Sequence, residues 1–219
     1  MTLRIGTPAP DFTAETTHGI IRFHDWLEAD WCVLFSHPKD FTPVCTTELA
    51  SMARLAPEFE RRKCKVIGLG VDPVFSHQAW SLDIEEFSGA PVTYPVIGDT
   101  DLIISKLYGM LPAEEVAGPE PRTAEQNATV RCVFIIDRTK TVRLVSAYPM
   151  TCGRNFQEVL RSLDSLQLNE RHMLATPADW AHGDDVLLPY NWSDEEAKAA
   201  YPKGWRAPKP YVRFVSQPA

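Results

Sequence analysis

The feature that most constrains the fold is a rhythm: through the first three quarters of the chain, apolar runs of strand length alternate with longer stretches of helical spacing. That alternation predicts an α/β architecture, in which helices cover the apolar faces of a central sheet. The predicted strands are Trp31 to Ser36, Lys65 to Val71, Tyr94 to Gly98, Cys132 to Ile136 and Val142 to Ala147. The last two flank Asp137-Arg138-Thr139-Lys140, a polar break short enough to close a β-hairpin. The sheet is therefore expected to be mixed rather than wholly parallel.

Between the first two strands, Leu49, Met52, Ala53, Ala56 and Phe59 recur at spacings of three or four and predict one buried helical stripe. Pro57 removes an amide donor within it, so a kink is expected near Ala53 to Pro57. Further helices are expected over Ser76 to Phe87, Asp101 to Tyr108 and Phe156 to Leu168. After about Glu170 the texture changes: Pro177, Pro189, Pro202, Pro208, Pro210 and Pro218 are spread among Trp180, Trp192, Trp205 and Tyr211. Prolines this frequent exclude long helices. So much aromatic surface still needs burial, on its own unit or on a partner subunit. The chain is accordingly divided into 1–168 and 169–219.

The formal charge of −7 and pI near 5.4 disfavour nucleic acid and anionic membranes as partners and suit a small-molecule substrate. The first residues lack the apolar core of a secretory signal, and no later run reaches the roughly 18 to 20 apolar residues of a spanning helix. A cytoplasmic protein is the expectation. The five cysteines, Cys32, Cys45, Cys64, Cys132 and Cys152, are dispersed and form no CxxC, so free thiols are expected and dithiol exchange or a zinc ribbon is not. The six histidines form no HExxH and no close Cys/His cluster, which disfavours a metal hydrolase; no metal or cofactor is expected.

Chemistry concentrates in Phe35-Ser36-His37-Pro38-Lys39-Asp40-Phe41-Thr42-Pro43-Val44-Cys45-Thr46-Thr47-Glu48-Leu49. Two prolines stiffen the loop leaving a strand, and the helical stripe begins at once, which places Cys45 in a first helical turn. There, unpaired amides and the positive end of the helix dipole favour a thiolate, the nucleophilic form. A lone cysteine is more often a small buried hydrophobe, and the surrounding residues decide otherwise here.

Pro38, Thr42 and Cys45 match PxxxTxxC, and the longer string HPKDFTPVCTTEL resembles the one-cysteine branch of the peroxiredoxins. The resemblance runs from the APDF opening through Tyr148-Pro149-Met150-Thr151-Cys152-Gly153-Arg154-Asn155-Phe156 to Tyr201-Pro202-Lys203-Gly204. It implies a thioredoxin-like α/β fold with an extended C-terminal arm packed across a partner in a homodimer, with dimers able to assemble further. The implied activity is a thiol peroxidase that reduces hydrogen peroxide and organic hydroperoxides through a Cys45 sulfenic acid. In this reading Pro38 shields the sulfur, Thr42 directs its hydroxyl at the thiolate or the peroxide, and Arg131 polarises both. Glu48 and Arg154 form a supporting pair, and His37 contacts the active-site loop or a bound reductant. Taken without the resemblance, Arg131 and Arg154 fit surface ion pairs, Glu48 fits a helix cap and His37 fits a hydrogen-bonded structural residue.

Typical two-cysteine members resolve the sulfenic acid with a cysteine in the C-terminal segment of a partner, but residues 167 to 219 contain none. An external thiol of glutathione or thioredoxin type is therefore implied. Cys32, Cys64 and Cys132 fall on strands or their borders, where burial is expected. Cys152 sits in a loop beside Arg154, which leaves an atypical two-cysteine enzyme as one alternative. A peroxide-activated holdase or redox sensor is another. The acyl-hydrolase GxSxG of some relatives is absent: the corresponding stretch reads Glu28-Ala29-Asp30-Trp31-Cys32, and no phospholipase activity is expected.

Overall fold

The protein is represented by a computed structural model that describes residues 3–112 and 128–218. It divides into two compact units, Met1–Phe156 and Gln157–Ala219.

In the first unit, the hairpin β1 (Thr13–Thr16) and β2 (Gly19–Arg22) leads through α1 (Phe23–Leu27) into β3 (Trp31–Ser36), α2 (Pro43–Arg61), β4 (Cys64–Gly70) and α3 (Val74–Ser88). The chain continues with β5 (Val96–Gly98), α4 (Ile103–Leu107), β6 (Arg131–Ile136) and β7 (Val142–Tyr148). These strands form one seven-stranded sheet in the order β2-β1-β5-β4-β3-β6-β7. β3, β4 and β5 are parallel, whereas β6 pairs antiparallel with both β3 and β7. The sheet is mixed, as expected, because a helix crossover returns each parallel strand while β6 turns directly into β7. In that turn Asp137 Oδ1 accepts hydrogen bonds from the amides of Thr139 and Thr141, at 2.8 and 3.0 Å.

All six residues of β3 are buried, as a central strand covered on both faces should be. One face contributes Cys32 and Leu34 to a core shared with Phe12, Phe23, Ile67, Ile97, Tyr108 and Phe134. α2 buries Leu49, Met52, Ala53 and Phe59, four of the five predicted stripe residues, and its helical assignment runs unbroken through Pro57. It begins at Pro43, six residues before the stripe, because proline at the first position costs no intrahelical bond. Three elements of this unit were not expected: β1, β2 and α1 are four, four and five residues long, too short for a periodic pattern to announce them.

The second unit opens with α5 (Phe156–His172), four residues longer than expected, and the division falls at the start of this helix rather than after Leu168. The physical reason is packing: Leu168 belongs to a core with Leu174, Trp180, Val186, Leu188, Ala197 and Val215. Trp192, Tyr201 and Trp205 pack partly buried against it, so the three tryptophans of this segment find cover within their own unit. Tyr190 and Tyr211 remain exposed. A three-stranded sheet in the order β8 (Val186–Leu187), β10 (Val212–Val215), β9 (Arg206–Lys209) and a short α6 (Asp194–Ala200) complete the unit. α6 is started by a capping box in which Ser193 and Glu196 bond each other's backbone amides. Among the described residues, no helix is long and apolar enough to cross a membrane.

Candidate active site

Strand β3 delivers the loop His37 to Thr42, and α2 then begins with Thr42 as its N-cap and Pro43 in the first turn. Cys45 follows within that turn and is wholly buried. Thr42 donates its hydroxyl hydrogen to the carbonyl of Lys39, at 2.9 Å, and keeps the lone pairs of the oxygen. Its own carbonyl accepts from the amide and the hydroxyl of Thr46, both at 2.9 Å, which ties the helix start together. Pro38 is buried within the same loop.

Around the sulfur lies a charged cluster that is nearly sealed from water. Arg131, at the first position of β6, donates from Nη1 to Cys45 Sγ at 3.3 Å and to Glu48 Oε2 at 2.7 Å. Its Nε is fixed by the carbonyl of Met150 at 2.8 Å. Arg154 meets the same carboxylate with its amide and Nε on Oε1 (2.8 and 2.9 Å) and Nη2 on Oε2 (2.7 Å), while Nη1 donates to the Cys132 carbonyl at 2.7 Å. The Arg154 guanidinium also lies 5.3 and 5.2 Å from the ring centroids of Phe35 and Phe156. These arginines are not surface ion-pair residues, and Glu48 is not a helix cap. One carboxylate serves two permanently charged guanidiniums, which leaves a positive charge over, and Arg131 presents it to the sulfur.

On the other side of the loop, His37 is wholly buried, and its Nε2 donates to Asp40 Oδ1 at 2.8 Å. His37 is thus a buried, hydrogen-bonded residue that contacts the active-site loop through Asp40. Asp40 also accepts from His77 Nδ1 at 2.7 Å and from Ser76 Oγ at 2.8 Å, and its amide donates to Asp72 Oδ2 at 2.9 Å. Burial alone raises the Asp40 pKa, but the hydrogen bonds and charges of His37 and His77 outweigh it and hold the carboxyl well below the usual range. Burial likewise pushes the His37 pKa down, against the pull of Asp40. His37, Asp40 and His77 bring nitrogen and oxygen donors within 4.8 Å of one another, the one such group among the described residues. Their 2.7 to 2.9 Å separations are hydrogen-bond distances, and both carboxylate oxygens already accept protein donors. Asp40 lies inside the quoted motif, whereas His77, Ser76 and Asp72 carry no local signal and reach the loop through the parallel crossover.

All five cysteines are free; Cys32, Cys64 and Cys132 are buried as expected, and Cys152 is exposed. Burial pushes the pKa of Cys32, Cys64 and Cys132 up, that of Cys132 to about 11. Cys152 lies at the end of a turn in which its amide donates to the Pro149 carbonyl at 3.0 Å.

The model of the AhpC/TSA family matches residues 5–145, and that of the C-terminal domain of 1-Cys peroxiredoxin matches residues 165–204. The chain belongs to the peroxiredoxins, in their one-cysteine branch. The peroxiredoxin is 47% identical over 214 residues to the yeast protein named mitochondrial peroxiredoxin PRX1, covering 97% of this chain and 80% of that one. It is 47% identical over 226 residues to rat peroxiredoxin-6, covering 99% and 98%. A solved structure of the yeast mitochondrial 1-Cys peroxiredoxin, which concerns thiol resolution via glutathione/thioredoxin systems, superimposes with a TM-score of 0.89 at 46% identity, covering 98% of this chain and all of that one. The fold is thus the thioredoxin-like one, and the activity that of a thiol-dependent peroxidase.

Proposed function

We propose that Cys45 is the peroxidatic nucleophile and that the surplus positive charge of the Arg131-Glu48-Arg154 cluster drives the reaction. The observation that carries this reading is the 3.3 Å contact between Arg131 Nη1 and Sγ, inside a site where both side chains are nearly or wholly buried. The thiolate attacks the nearer peroxide oxygen; a sulfur–oxygen bond forms as the O–O bond breaks, and the electron pair leaves on the distal oxygen. That oxygen takes up a proton and departs as water or an alcohol. Sulfur is oxidised to the sulfenic acid and the peroxide is reduced. Arg131 stabilises charge on the sulfur before attack and on the departing oxygen after it, where low dielectric strengthens the effect. Pro38 closes the loop over the sulfur. The Thr42 oxygen, its hydrogen held by Lys39, is left to accept the hydroperoxide's O–H.

Return to the thiol follows two exchanges with an external thiol: the first displaces water and forms a mixed disulfide, and the second releases Cys45 and an external disulfide. A glutathione- or thioredoxin-type reductant fits the absence of cysteine from residues 167 to 219 and the system studied in the yeast relative. The two-cysteine alternative is not favoured, since Cys152 is exposed while Cys45 is sealed, and neither is the holdase or sensor reading. A homodimer is supported by large apolar side chains left exposed on this single chain, among them Phe75, Leu82 and Phe87 of α3 and Tyr190 and Tyr211 of the second unit. Sedimentation equilibrium checks it. Five free thiols suit a reducing compartment, and the cytoplasm is the proposed one; fractionation separates it from the mitochondrion named for the yeast relative.

The decisive experiment is Cys45→Ser with hydrogen peroxide and glutathione. Peroxide consumption is expected to fall to background, with a sulfenic acid trapped on Cys45 of the unsubstituted protein. Turnover that survives the substitution overturns the assignment.

A further inference from the structure

Cys45 has no exposed surface. Hydrogen peroxide is small enough to reach such a sulfur through brief fluctuations, but a peptide or protein thiol must bring its own sulfur to within bonding distance. Given the external-thiol reading above, the loop from His37 to Cys45 has to open once per turnover. His37 is tied to Leu69 and Thr129 at one end of the loop and Cys45 to Arg131 at the other, and between these ends the bonds of Asp40 run to one neighbouring region.

Asp40 is only 4% exposed although it lies in a loop. Its carboxylate is held by Ser76 Oγ and His77 Nδ1, both in the first turn of α3, and its amide by Asp72 just before that helix. His77 is itself anchored at its far end, where Nε2 lies 3.1 Å from the carbonyl of Ile97 on β5. Both ring nitrogens of His77 therefore face acceptors. The site is built to receive two imidazoles: a Cβ on Gly70 would lie 2.6 Å from the His37 ring and 2.7 Å from that of His77. α3 adds one more tie, from Trp80 Nε1 to Thr46 Oγ1 at 3.2 Å.

Next to Asp40, Phe41 has φ +53° with its side chain 55% exposed, a left-handed backbone that a bulky residue adopts only when its neighbours impose it. The strain is released if the loop lets go. A bonded carboxylate beside a strained residue makes a two-state element, closed while Asp40 is held and open when it is not.

We propose that Asp40 latches the nucleophile loop to α3 through Ser76 and His77, and that the release of this latch sets how fast a bulky thiol reaches Cys45. Ser76 and His77 are positioning residues that act through Asp40 and touch neither the sulfur nor the peroxide. Closed is the major state, so loosening the latch multiplies the minor open population while leaving the closed one almost unchanged. Losing one hydrogen bond to an ionised group shifts such an equilibrium about tenfold or more.

The test uses the full chain carrying Cys152→Ser, so that no exposed thiol competes with Cys45 for the label. Labelling of reduced Cys45 by a bulky maleimide is followed by mass spectrometry, and oxidation by hydrogen peroxide by stopped-flow fluorescence. Ser76→Ala is expected to raise the labelling rate, and the rate at which glutathione reduces the sulfenic acid, by about tenfold. His77→Ala should raise both further. Oxidation by peroxide in Ser76→Ala should stay within about twofold, which a general loosening of the active site would not allow. Circular dichroism and urea titration show whether His77→Ala still folds; if it does not, Ser76→Ala, which removes one hydroxyl, decides alone. Wild-type labelling and reduction rates in a folded Ser76→Ala overturn the latch. That result leaves the peroxidase assignment intact, because Cys45→Ser tests it separately.

Discussion

Two buried ionic clusters flank the start of α2, each a carboxylate held between two basic side chains, and they differ in what the bases are. Glu48 is shared by two arginines, Asp40 by two histidines. Arginine keeps its charge at any relevant pH, so the first cluster must carry a surplus positive charge, and it turns that charge on the sulfur. Histidine gives way to burial, which pushes the His37 pKa down, and the second cluster spends its hydrogen bonds on geometry. Similar topology thus serves field in one place and position in the other. The contrast predicts that damage to the first cluster appears in the peroxide step and damage to the second in access to the thiol.

The largest effect should follow loss of the charge itself. Arg131→Met removes the only guanidinium within hydrogen-bond reach of Sγ among the described contacts. The second-order rate of Cys45 oxidation is expected to fall by about 10² to 10³, the usual consequence of removing a donor aimed at developing charge. Stopped-flow measurement at several peroxide concentrations checks it, and a fall of less than tenfold would move the source of activation away from Arg131. Arg131→Lys keeps the charge but not the planar fork that bridges Sγ, Glu48 and Met150, and should recover only part of the loss.

Next comes Glu48→Gln, which leaves two guanidiniums facing each other without their carboxylate. Breaking a buried pair from one side typically costs about 3 to 5 kcal/mol of stability, so urea unfolding should show a loss in that range. Asp40→Asn should cost less, because it leaves no permanently charged guanidinium without its carboxylate, and its peroxide step should suffer less than that of Glu48→Gln. Equal losses of rate in the two variants would erase the distinction between the clusters.

What could be read from the sequence tracks how local each signal is. Cys45 in a first helical turn was legible because Pro43 and the apolar stripe lie within one stretch of chain, and β3, β6 and β7 because their side chains are continuously apolar or bounded by a polar turn. The Glu48-Arg154 pair spans 106 positions, and only the family resemblance brought it forward. His77 lies 37 positions from Asp40 in a helix whose sequence offers nothing unusual, so the second cluster emerged only when the β3-α2-β4-α3 crossover was built. β8, β9 and β10 escaped notice for a different reason. They are two to four residues long, and β9 reads Arg206-Ala207-Pro208-Lys209, fully exposed, with its place set by β10 rather than by its own pattern. That the Thr42 hydrogen goes to Lys39 could not be read, because side-chain bonds to nearby carbonyls compete with those to a distant atom.

The smallest effect sharpens the comparison from outside both clusters. Cys132 gives its carbonyl to Arg154, and although the Arg154 charge and Ser36 favour its thiolate, burial outweighs both and pushes the thiol pKa up to about 11. A raised pKa keeps the neutral thiol in the fold: from about 9, where the unfolded chain would ionise, to about 11, the folded protein retains a proton that the unfolded chain gives up, so this group's contribution to stability declines across that window. At pH 8 Cys132 should therefore resist iodoacetamide in the native state, together with buried Cys32 and Cys64, while exposed Cys152 is labelled. Cys152→Ser should remove that labelling and leave turnover with an external thiol unchanged within about twofold, since a residue outside both the charge and the latch has no step to govern. If turnover instead fell tenfold and a Cys45 disulfide disappeared with it, the regenerating thiol would lie within the chain, and neither cluster would need to open a path for a bulky partner.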